Sequence, residues 1–173
     1  MSSTIATARR ERNWHAVHTR SRHEKVTAER LAEQGVERFL PLRRVQSRWA
    51  DRKKWVAKPL FPGYLFVRIR ADEVPVANGT QGVVRLLGTE ASGPSVVPDV
   101  EVESIRRLVA GDLPVDSCPY LKPGRRVTIT HGPLRGVEGE LIREARRCFI
   151  VVSVQLLGRS VAAEVPGNAV RPL

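Results

Sequence analysis

Between Gly111 and Gly124, the sequence GDLPVDSCPYLKPG places Pro114, Pro119 and Pro123 within ten residues. The chain has a different texture on either side. Proline has no N–H to give a helix or ladder, so this density predicts a linker, over residues 113–122. Upstream, strand-like runs alternate with two stretches of helical periodicity. Downstream, Arg125–Thr130, Gly136–Ile142, Cys148–Gln155 and Val161–Val165 are short, rich in Val and Ile, and separated by Gly and Pro. That spacing predicts a small all-β barrel of about 50 residues. The expected fold class is α+β. A basic, disordered tail over 1–12 precedes an α/β sandwich over 13–112, an antiparallel sheet flanked by helices, and the barrel occupies 123–173.

Within the first part, Trp14, Ala16 and His18 alternate with His15, Val17 and Thr19, a strand pattern. Ser21-Arg22-His23-Glu24 then fits a capping box, in which the Ser21 hydroxyl and the Glu24 carboxylate take up free helical N–H groups. Ala28, Leu31, Ala32 and Gly35 supply a helical stripe, with Gly35 as its stop and Val26 off the stripe. Residues 37–42 read as strand, 72–79 as a weak helix or turn interrupted by Pro75, and 82–87 as strand. A second good helix spans 98–109, with Val102, Ile105, Leu108 and Val109 on one face.

Lys and Arg together number 29 against 18 Asp and Glu, a formal net charge of +11 over 173 residues. Such an excess attracts polyanions, nucleic acid above all. No apolar run approaches the roughly 20 residues of a spanning helix, so no membrane is expected. The N-terminus lacks the apolar centre of a signal peptide, and a cytoplasmic protein is expected. Cys118 and Cys148 form no CxxC pair and read as reduced, inert thiols. His15, His18, His23 and His131 form no metal-binding or catalytic pattern, and no GxSxG, Walker or GxGxxG motif is present. The chain therefore reads as a non-enzyme with no metal and no cofactor.

Two stretches carry the functional signal. In KPLFPGYLFVRI, residues 58–69, a Pro-Gly break sits inside a strand-like aromatic run. Strand alternation puts Tyr64 and Phe66 on one face and Leu65 and Val67 on the other. Both faces can be core, or the aromatic face can be open to a partner. The other stretch, 43–58, holds seven cations, Arg43, Arg44, Arg48, Arg52, Lys53, Lys54 and Lys58, against one carboxylate, Asp51, with Trp49 and Trp55 interleaved. Two such strands joined near Ala50-Asp51-Arg52 predict a projecting basic hairpin. Its charge could be only a solvated tip, but phosphate contact and base stacking are both available there.

Two ordered sets of residues now coincide. The first is Trp14, Thr19, Glu24, Phe39-Leu40-Pro41, then Leu60-Phe61-Pro62-Gly63-Tyr64-Leu65-Phe66-Val67 and Gly82-Val83. The second is Gly124, Val127, Ile129, Gly132-Pro133, Gly136 and Gly139. Their order and spacing resemble the NusG family of transcription elongation and antitermination factors. Residues 13–112 are similar to its N-terminal domain, and the C-terminal residues to its KOW domain, an SH3-like barrel. SRHEKVTAERLAEQG, DRKK, PLFPGYLFV and VVSVQLLGRSVAAEV are most similar to the specialised paralogues, UpxY, RfaH and LoaP.

The resemblance implies a monomeric factor that suppresses pausing or termination. Phe61, Pro62, Tyr64 and Phe66, bordered by His18, would line an apolar pocket for the clamp helices of the largest RNA polymerase subunit. Arg20, Arg22, Lys25 and Arg30 would face upstream and non-template DNA, together with Gln34, Thr80 and Gln81 and with Arg48, Arg52, Lys53 and Lys54 of the hairpin. Thr80-Gln81 stands where the RfaH pattern has Thr-Arg, so one cation is missing. Leu156, Leu157 and Arg159 would recruit Rho or a small-subunit ribosomal protein through the KOW domain, which is expected in its β form. The alternative is a KOW-type RNA-binding or ribosome-associated protein, which would need no apolar groove.

Overall fold

A computed structural model of the protein describes residues 11–49, 52–89, 91–111, 115–119, 124–144 and 147–173. Residues 1–10 of the expected tail over 1–12, the hairpin tip at 50 and 51, and the expected linker outside Val115–Pro119 lie outside these residues. The chain forms two compact units, one from Met1–Leu40 and Phe61–Asp99, the other from Pro41–Leu60 and Val100–Leu173.

The first unit is built on β1 (Asn13–Thr19), β2 (Glu37–Phe39), β5 (Tyr64–Ile69), β6 (Val83–Leu86) and β9 (Val96–Val97). The sheet order is β2-β5-β1-β6, β9 also pairs with β1, and every pair is antiparallel. Helices α1 (Glu24–Glu33) and α2 (Val74–Gly79) connect the strands. Val17, Leu65, Val67 and Ile69 from the strands pack with Ala28 and Leu31 of α1 and Ala77 of α2 as one apolar core. Period-2 and period-3.6 patterns thus meet on one surface, as the sequence requires. Val26 is exposed, as its place off the stripe implies, and Gly35 ends α1 at φ +75°. Pro75 does not interrupt α2, because it lies in the first turn, where its missing N–H has no helical acceptor.

The expected capping box does not form. His23 is the N-cap and makes no side-chain capping bond, while Arg22 takes a left-handed φ of 63°. Glu24 is buried, and its carboxylate instead accepts the Gly63 N–H at 2.7 Å. His15, also buried, donates its Nδ1–H to Ser95 O at 2.9 Å, and burial holds its pKa below the usual histidine value.

In the second unit, β3 (Leu42–Trp49) and β4 (Arg52–Pro59) form the basic hairpin, in continuous register from Leu42↔Pro59 to Trp49↔Arg52. Helix α3 (Asp99–Ala110) follows the short strands β7 (Gly88–Thr89), β8 (Gly93–Pro94) and β9. Six strands then make an antiparallel sheet in the order β10-β14-β13-β12-β11-β15. They are β10 (Val115–Pro119), β11 (Arg125–Ile129), β12 (Glu138–Glu144), β13 (Arg147–Val154), β14 (Arg159–Val165) and β15 (Val170–Pro172). Strand β10 lies inside the stretch whose prolines predict a linker. Among the described residues it is an outer strand that pairs with β14, and Pro119 closes it, so the absent N–H is tolerated. Gly132 and Gly136, at φ +85° and +81°, reverse the chain between β11 and β12 as their spacing requires.

Helix α3 packs against this sheet. Ser104 Oγ accepts the Glu138 N–H at 3.4 Å, and the Arg107 guanidinium donates to Arg135 O at 3.5 Å. A Cβ at Gly136 would collide with Arg107 Nη1. Glu101 is half-buried on the same helix. Burial pushes its carboxyl up to about 6, partly opposed by the Gln155 N–H that it accepts. A raised pKa means the folded state holds the proton more tightly. The stability it contributes is present below about pH 4.5 and is lost as pH rises through about 6. Glu101→Gln is therefore expected to stabilise the protein at pH 7.5 by about 1 kcal/mol, allowing for partial exposure. It should also remove that part of the pH slope in urea unfolding. No gain at pH 7.5 would contradict the assignment.

Candidate functional site

The Pro-Gly break is a hydrogen-bonded turn. Tyr64 N–H donates to Phe61 O at 3.0 Å across Pro62 and Gly63, and Gly63 takes φ +84°. Proline at the second position and a positive-φ glycine at the third suit a type II turn. Three elements converge on it: Thr19 N–H at the end of β1 donates to Gly63 O at 2.9 Å, Glu24 at the start of α1 accepts Gly63 N–H, and β5 begins at Tyr64. The Glu24 link was not legible beforehand, because its partner is 39 residues away.

The register pairs His18 with Tyr64 and Ala16 with Phe66, so these side chains share the sheet face opposite the apolar core. The His18 and Tyr64 rings stack at 5.2 Å between centroids and 28° between planes, and both are half-buried. Pro62 is exposed beside them. Phe61 and Phe66 differ from the expectation of an open pocket, since both are 0% exposed. Phe66 stacks on Phe39 at 6.1 Å and meets Phe61 edge-on at 6.2 Å. Offset and edge-on contacts are favoured arrangements for packed aromatic rings. In this arrangement Phe61 and Phe66 are core, and His18, Pro62 and Tyr64 are the surface above it.

The second set of expected site residues is also brought together. Arg20 N–H donates to Gly82 O at 2.9 Å, and Arg30 donates to Gln81 O at 3.1 Å. Thr80 Oγ1 lies 2.7 Å from Gln34 Oε1 and 3.0 Å from Val76 O. A hydroxyl has one proton, so donation to Val76 O with the Gln34 amide turned to donate satisfies both contacts. Thr80 is 2% exposed, so it is not a surface contact but holds Gln34 and the loop in place. Gly82 sits at φ +103°, and a Cβ there would collide with Thr27 Oγ1, which fixes glycine at this crossing. Arg20, Arg22, Lys25, Gln34 and Gln81 are exposed and Arg30 is half-buried.

On the hairpin, Arg48 pairs with Lys53 and Trp49 with Arg52 in register, and the Lys54 side chain is exposed. Leu156 and Leu157 lie half-buried in the short 3-10 turn Gln155–Leu157, and Arg159 is exposed at the start of β14. These residues and the first unit's surface belong to different units. Among the described residues, no three His, Cys, Asp or Glu side chains gather to hold a metal ion, and no helix is long and apolar enough to cross a membrane.

Comparisons with known proteins give this surface a context. The chain is 29% identical to the transcription termination/antitermination protein NusG of Deinococcus radiodurans over 141 residues, covering 70% of this chain and 72% of that protein. It is 29% identical to the protein of the same name from Bacillus subtilis strain 168 over 170 residues, 90% of this chain and 95% of that one. A solved structure of Thermotoga maritima NusG, determined for its domain interaction, superposes with a TM-score of 0.53 at 22% identity. It covers 94% of this chain and 98% of that one, and supports a shared fold. The family model described as transcription termination factor nusG matches residues 12–106, more than half of the sequence. The chain belongs to the NusG family.

Proposed function

We propose that the protein is a non-enzymatic, cytoplasmic transcription elongation and antitermination factor, and that it acts as a monomer. Its N-terminal domain, residues 13–112, docks on the clamp helices of the largest RNA polymerase subunit through His18, Pro62 and Tyr64. Phe61 and Phe66 lie packed beneath and hold that surface rigid. The observation that carries this reading is the stacked His18–Tyr64 pair, half-exposed beside an exposed Pro62 on a turn tied down by Glu24. An amphipathic aromatic anchored on a rigid turn costs little entropy to bind, which suits a protein interface.

Arg20, Arg22, Lys25, Arg30, Gln34 and Gln81 then contact upstream and non-template DNA, with Arg48, Arg52, Lys53 and Lys54 of the hairpin. Binding polymerase and DNA together favours the closed clamp, which suppresses pausing and termination by shifting the population toward the paused-resistant state. The C-terminal strands act as a KOW barrel over 123–173, and Leu156, Leu157 and Arg159 recruit a further partner, Rho or a small-subunit ribosomal protein. The sequence signals of the helix opening, hairpin and aromatic run favour a specialised paralogue over the general factor.

Transcription in vitro by purified polymerase through an intrinsic terminator, with and without the full chain, tests this reading. Increased readthrough and shorter pauses are expected. Unchanged elongation together with tight binding to structured RNA would favour a KOW-type RNA-binding or ribosome-associated protein instead.

A further inference from the structure

The strands of the β3–β4 hairpin carry seven cations and no carboxylate. Exposure alternates along it. Arg43, Val45, Ser47 and Val56 are half-buried, whereas Arg44, Gln46, Trp55 and Ala57 are exposed. Register explains the split: Arg44 pairs with Ala57 and Gln46 with Trp55, and cross-strand partners share a face. One face of the ribbon is therefore an outer face, and Trp55 stands on it at 64% exposure. Tryptophan is on average among the more buried side chains, so so large an exposed indole amid cations calls for a ligand. Among the described residues Trp55 makes no ring contact with another aromatic side chain.

We infer that this outer face binds single-stranded nucleic acid, with an unpaired base stacked on the Trp55 indole and the adjoining phosphate met by Arg44, which the register puts on the same face. The charge selects a polyanion. The indole selects a ligand with flat apolar faces, which a nucleic-acid strand has and an acidic peptide or lipid headgroup lacks. A paired base inside a duplex keeps its faces stacked on its neighbours, so only an unpaired strand can use both features. The inference deepens the nucleic-acid half of the proposed function and is independent of polymerase docking.

Fluorescence anisotropy of the full chain with labelled oligothymidylate, oligouridylate and a duplex of equal length, without polymerase, tests it. Both single strands should bind more tightly than the duplex, and the stronger of the two identifies the strand that the hairpin serves. Trp55→Ala should weaken single-strand binding roughly tenfold, within the range measured for loss of one stacked base. The salt slope should not change, because no cation is removed. Trp55→Phe should restore most of the loss. Thermal melting should match the parent, since the side chain is exposed. Undiminished binding by Trp55→Ala, or preference for the duplex, would overturn the inference whether or not the protein docks on polymerase. Preference for an acidic polypeptide or anionic vesicles over oligonucleotides would also overturn it.

Discussion

Phe66→Ala is expected to lower the free energy of unfolding by about 3–5 kcal/mol, the range for removing a large aromatic side chain from a closed core. Phe66 is 0% exposed and pairs through its backbone with Ala16 of β1 and Phe39 of β2. Its ring touches Phe39 face-on and Phe61 edge-on, so truncation leaves a cavity lined by two rings that the sheet backbone keeps apart. The β2–β5 pairing and the Phe61–Tyr64 turn bond hold both backbones in place, so only side-chain shifts can reduce the gap. Urea unfolding should show an earlier midpoint with little change in slope. A loss below about 1 kcal/mol, the cost of trimming a side chain that water already reaches, would mean the ring faces an open groove instead.

Tyr64→Ala should behave in the opposite way. Tyr64 is half-buried and stacks only partly covered on His18, so its removal is expected to cost about 1 kcal/mol of stability or less beyond the lost stack. In the proposed complex it is the aromatic anchor, and loss of such an anchor typically costs at least about 2 kcal/mol of binding. Affinity for purified polymerase should therefore fall roughly 30-fold or more while the fold persists. His18→Ala should follow with a smaller loss, because His18 orients the Tyr64 ring. Equal polymerase affinity in parent and Tyr64→Ala would remove the anchor from the account. Phe66 and Tyr64 thus separate a packing role from a contact role on the same strand face, two residues apart.

Elements defined by local pattern were legible in the sequence. The stripe of Ala28 and Leu31, the alternation in β1 and β5, and the valine-rich strands after Gly124 all follow from spacing alone. What escaped depends on distant partners. Glu24 has the right spacing for a capping box, but a half-buried Gly63 N–H competes for its carboxylate and wins. Strand β10 reads as linker because its prolines are counted without its partner β14, which accepts a strand whose last residue lacks an N–H. Phe66 lies on the expected face, yet the sequence does not say that Phe39, 27 residues earlier, would stack on it. Thr80 was expected at the surface from its place in a motif, and its hydroxyl turned inward to Val76 and Gln34. Burial decides which side chains in each of these neighbourhoods face outward.

The central claim, that the Pro62–Tyr64 turn grips RNA polymerase, is tested most directly by placing a photo-cross-linking side chain at position 62. Pro62 is exposed on the turn and has no N–H to lose, so the change should leave the fold intact. Irradiation with an assembled elongation complex should yield an adduct that maps to the clamp helices of the largest subunit. The same probe at the exposed Val76, on helix α2 against the other face of the sheet, should yield none there. An adduct only to RNA or to a ribosomal protein, or no adduct from position 62 under conditions where the protein alters elongation, would contradict the account.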